Sequence, residues 1–104
     1  MNVLDQILAA REAHEKLRAP PPARATLGPK GEQYRLVKAV LDRLWEAAGR
    51  PDAMASTADI RRAVGRLTTD ADYYAGLSDA EGFRDPAEVM AQYDMLERAF
   101  AGKR

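Results

Sequence analysis

The chain predicts an all-α fold: a small bundle of about four to five helices, with the N-terminal helix joined through a proline-rich connector. Three observations carry this. Apolar residues recur at three- and four-residue spacing in successive segments. Ser, Thr or Asp opens several of those segments, and glycine or proline closes them. No segment sustains the alternation of a strand. At 104 residues and 46% hydrophobic content, the chain has enough apolar surface for one core and not for two.

The first helix is expected within residues 1–18, as an arm. Val3, Ile7, Ala10, His14 and Leu17 fall on one narrow stripe, the pattern of a helix–helix seam. Pro20, Pro21 and Pro22 stop that helix near Ala19, since proline supplies no amide donor and disfavours helix just before it. Residues 19–31, APPPARATLGPKG, are expected to be a connector, extended at the prolines and turning at GPKG.

Residues 32–104 are expected to form the core domain. Its first helix, about 32–48, presents Leu36, Val37, Val40, Leu41, Leu44, Trp45 and Ala48 on one face. Gly49 stands where a left-handed cap is wanted, and Pro51 prevents resumption. The next helix begins at Ser56 or Thr57, where Ser56 with Asp59 approximates a capping box. Ile60, Val64 and Leu67 point inward from it, and Arg61, Arg62 and Arg66 outward. Further on, Thr69 or Asp70 is expected to cap a short helix that ends at Gly76, and Ser78 with Glu81 one more turn. In DPAE, Asp85 caps the last helix and Pro86 takes its first position; Val89, Tyr93, Leu96 and Phe100 line its inner face. The tail Gly102, Lys103 and Arg104 suits the negative end of the helix dipole.

The stretch TDADYYAGLSDAE, 69–81, invites a calcium reading. Counting from Asp70, however, Tyr74 falls fifth, where a carboxylate or amide is needed, and Ala75 sixth, where glycine is needed. Two helix caps account for the same residues, so no metal is expected. His14 is the only histidine, and it lies on the apolar stripe rather than beside a nucleophile. LGPKG lacks the spacing of a phosphate loop. Catalysis and cofactors are therefore not expected.

Sixteen basic and sixteen acidic residues leave no net charge, which gives no support to non-specific nucleic-acid binding. The charge is unevenly placed, with eight acids and one base within 70–97. With no cysteine, no apolar run long enough for a membrane and no basic leader, the expectation is a cytoplasmic protein off the membrane. The preferred functional reading is a non-catalytic adaptor, regulator or self-assembling subunit, which binds a protein partner or a second copy in a homo-oligomer. Its expected contacts are the stripe Val3, Ile7, Ala10, His14 and Leu17, and the acids Asp70, Asp72, Asp79 and Glu81. The alternative is nucleic acid. STADIRRAVG, then RLTTD, then DADYYAGL resembles in outline a helix-turn-helix, as in a regulator or a phage-type DNA-packaging subunit, with Arg61, Arg62 and Arg66 on the phosphates.

Overall fold

The computed structural model describes residues 2–20, 30–50 and 55–101. Within them are four helices and no strand: α1 Val3–Arg18, α2 Lys30–Ala48, α3 Thr57–Tyr74 and α4 Pro86–Phe100. Each start that carries a local signal is capped as the sequence dictates. Asn2 accepts from the Asp5 amide, Ser56 from Asp59 and Asp85 from Ala87. Each cap satisfies one amide that the first turn leaves without a partner.

Cross-helix pairs fix the directions. Gln6 on α1 meets Arg43 on α2, and Tyr34 on α2 meets Asp72 on α3, while the Thr57 hydroxyl donates to the Ala48 carbonyl at 2.6 Å. Both neighbouring pairs are thus antiparallel. His14 touches Asp70 on α3 and Tyr93 on α4, and Arg11 reaches Asp94 and Glu97 on α4. The result is an up-down-up-down bundle, α1 and α3 lying parallel across its centre. No helix among the described residues is long and apolar enough to cross a membrane.

The core holds Ile7, Leu17, Val37, Val40, Leu41, Leu44, Ile60, Val64, Leu67, Val89, Tyr93, Leu96 and Phe100. Two expected core residues are outside it. Leu36 and Trp45 are 41% and 44% exposed. They sit at opposite margins of the α2 face, and a four-helix arrangement covers only the middle of that face. Alanines complete the packing: Ala10, Ala13, Ala63, Ala71 and Ala99 are buried where helices approach closely.

Three further expectations are corrected. The RLTTD turn is absent, because α3 runs unbroken through it. Thr68 and Thr69 donate their hydroxyls to the carbonyls of Val64 and Gly65, one turn back, so they serve the helix instead of interrupting it. Ser78 starts no helical turn; its hydroxyl accepts from the Ala80 amide in a bend, and Glu81 pairs with Arg84. Gly49 does not take the left-handed conformation; among the described residues only Gly76 does, at φ 78°. Lys30 and Gly31 of the expected connector belong to α2, while its Pro21, Pro22 and Pro29, together with Pro51 and the tail 102–104, lie outside the described residues.

Candidate functional site

Two regions carry chemistry worth weighing. The first is a polar cluster sealed inside the bundle. Asp70, 1% exposed, and His14, 0% exposed, are its centre. His14 Nε2 lies 2.7 Å from Asp70 Oδ2, and His14 Nδ1 lies 2.7 Å from the Tyr93 hydroxyl. With Nε2–H donating to the carboxylate and Nδ1 accepting from the tyrosine, every polar atom of the three has a partner. The other carboxylate oxygen accepts from the Phe83 amide. Arg18 Nε stands 3.0 Å from Asp70, an ion-pair contact without hydrogen-bond alignment, and its Nη2 donates to the Phe83 carbonyl. Arg18 also stacks over the Tyr74 ring.

One carboxylate thus ties α1, α3 and the loop before α4 together, and α4 joins through Tyr93. The approach of that loop depends on Gly82. A Cβ there would lie 2.7 Å from Asp70 Oδ1 and within 3.3 Å of Tyr73. Burial pushes the Tyr93 hydroxyl pKa up, and the charge on Asp70 adds to the effect. An Asp–His–Tyr arrangement resembles catalytic machinery in its distances, but here it opens onto no surface. Its evident work is to satisfy buried polar groups that would otherwise be costly.

The second region is a groove between α2 and α3, about 320 Å³ in volume. Lys38, Asp42, Trp45, Val64, Gly65 and Thr68 line it. Trp45, the only tryptophan, forms its lip. The Arg61 guanidinium stacks on the Trp45 ring at 5.1 Å, with no carboxylate in ion-pair range among the described residues. Gly65 leaves open space where a side chain would stand. A larger hollow of about 420 Å³ between Arg66, Thr69 and the 81–88 segment is lined mainly by charged side chains.

The expected contact residues are distributed differently from the sequence reading. Ile7, Ala10, His14 and Leu17 are buried in the chain's own core and Val3 is packed against it, so the seam is made within the bundle. Asp70 is interior, and Asp72 accepts from the Tyr34 hydroxyl at 2.6 Å, which pushes that phenol's pKa up to about 12. Asp79 and Glu81 remain on the surface. Of the three arginines, Arg61 stacks on Trp45, Arg62 faces Asp59 at 3.6 Å and Arg66 faces Glu88 at 4.0 Å. Among the described residues, no group of three or more His, Asp or Glu is placed to hold a metal ion. The Trp45 groove escaped sequence reasoning, because its apolar residues fit a core stripe equally well. No family model, curated protein or solved structure matches the chain.

Proposed function

We propose that the chain is a non-catalytic protein–protein interaction module that docks its partner at the α2–α3 groove around Trp45. One observation carries this reading. The only tryptophan stays 44% exposed beside the α2–α3 hollow with an arginine stacked on its ring, whereas the other large apolar side chains left exposed among the described residues, Leu8, Leu36, Tyr73 and Leu77, line no such hollow with it. Tryptophan and arginine at a pocket are the residues that dominate interface energetics. The acid–base groups offer no comparable case for an enzyme, since His14, Asp70 and Tyr93 are out of reach of any substrate in this bundle. Nucleic acid fares less well too. The continuous α3 has no turn to present a recognition helix, and Arg62 and Arg66 stand opposite carboxylates.

Selection from a random peptide library against the folded protein, with Trp45→Ala as the counter-target, tests the reading. Peptides that bind the native chain and lose affinity by about tenfold or more on Trp45→Ala support it. A library that yields only binders indifferent to Trp45 rules it out.

A further inference from the structure

The 77–84 segment between α3 and α4 is fastened to the rest of the molecule at one residue. Behind it α3 is closed at Gly76, whose φ is 78° and whose amide bonds to the Tyr73 carbonyl at 3.0 Å. Ahead of it α4 opens at the Asp85 cap. Between these fixed ends, residues 78–84 make no backbone-to-backbone hydrogen bond among the described residues. Phe83 is the only buried residue of the segment. Its amide donates to Asp70, its carbonyl accepts from Arg18 and from the Tyr74 hydroxyl, and its ring lies under the Arg66 guanidinium at 4.8 Å. Ser78 and Glu81 instead bond within the segment, to the Ala80 amide and to Arg84. Hollows of about 420 and 290 Å³ flank the fastening, one beside Arg66 and Thr69, the other beside Tyr73 and Tyr74. On both sides of Phe83 the segment therefore lacks the close packing that would hold it to α3.

We propose that the 77–84 segment is a strap that opens and closes on its own over the Asp70–Arg18 end of the buried polar cluster, with Phe83 as its latch. Unlatching withdraws Phe83 from Asp70, Arg18 and Arg66 and admits water to the carboxylate and the guanidinium, while the four helices keep their caps and their core. Opening costs far less than unfolding because it exposes one apolar side chain. The groups it frees are not orphaned either, since Asp70 and Arg18 keep each other at 3.0 Å and water replaces the Phe83 peptide. Gly82 serves both states. Closed, it permits an approach in which a Cβ would lie 2.7 Å from Asp70 Oδ1; open, it gives the backbone freedom to swing. Arg18 is the last residue of α1, so the latch also couples the strap to that helix end. None of this depends on the Trp45 groove.

Native-state hydrogen exchange of the full chain, followed by NMR in urea below the unfolding transition, tests the strap. The Phe83 amide reports the latch, and the Leu67 amide, in the buried middle of α3, reports the whole bundle. Phe83 should be protected, yet by roughly 100-fold less than Leu67, and its exchange should ignore urea because opening exposes little surface. Val40→Ala, which weakens the core at α2, should speed Leu67 by roughly tenfold and leave Phe83 unchanged. Gly82→Ala, which crowds the latch, should speed Phe83 by roughly tenfold. A Phe83 amide that matches Leu67 in protection and urea dependence, or that follows Val40→Ala, lets go only when the bundle unfolds, and the proposal is overturned. An unprotected Phe83 amide overturns it as well, because there is then no closed state. Phe83 exchange unmoved by Gly82→Ala removes the latch from Asp70.

Discussion

The sealed cluster around Asp70 and the open groove around Trp45 invert what their residue types suggest. The sequence's most chemical-looking groups, an aspartate, a histidine and two tyrosines, are spent on holding helices together. A tryptophan that fits a core stripe is left at the surface. The reason lies in partners, not in hydrophobicity. Asp70 is buried because donors from His14 and the Phe83 amide converge on it and the Arg18 guanidinium stands in ion-pair contact. Trp45 is exposed because, among the described residues, nothing lies over that margin of α2. Residue type sets the cost of a position, and the neighbours decide whether that cost is met.

The contrast breaks most severely at Asp70. Asp70→Ala leaves an imidazole and an amide without their acceptor and a largely buried guanidinium without its counter-charge, and should lower unfolding free energy by about 3–5 kcal/mol. Urea denaturation followed by circular dichroism measures it; a loss below ~1 kcal/mol would show that the cluster is solvated. Gly82→Ala is next. Its Cβ would meet Asp70 Oδ1 at 2.7 Å, and that carboxylate is held by three groups, so a loss of about 1–3 kcal/mol is expected in the same assay. Tyr93→Phe removes only the hydroxyl that faces His14 Nδ1, and about 1–2 kcal/mol should go with it.

Alkali tests the interior by another route. Tyr34 and Tyr93 both have hydroxyl pKa values raised above the ~10 of an unfolded tyrosine, Tyr34 to about 12. A raised folded value means that the unfolded chain loses its proton first. The stability these groups contribute is therefore complete below pH ~10 and is lost as pH rises through the folded values. Urea midpoints should fall between pH ~10 and ~12, and Tyr34→Phe should make that fall shallower. A parallel fall in both proteins would remove Tyr34 from the account. The smallest effect belongs to the open side. Leu77→Ser should change stability by no more than ~0.5 kcal/mol, because Leu77 supports nothing in its own bundle. A larger loss would mean that Leu77 packs within its own bundle.

The sequence by itself determined the helices wherever the signal is local. Ser56 and Asp85 cap as expected because a cap needs only an amide two or three residues away. The inner faces of α2, α3 and α4 were legible from spacing alone, apart from their margins at Leu36 and Trp45. The groove was not legible, since periodicity locates the centre of an apolar face and not its covered width. The length of α3 was misjudged for a related reason. Thr69 and Asp70 favour a cap in isolation, but inside the bundle Asp70 binds α1 and the two threonines bond one turn back, so the helix continues. Only the tertiary structure decided that α1 docks on its own bundle, that His14 and Asp70 meet across 56 positions, and that Trp45 and Leu77 are left to face solvent. Local hydrogen bonds are encoded within a turn of sequence. Burial is a property of what arrives from elsewhere in the chain.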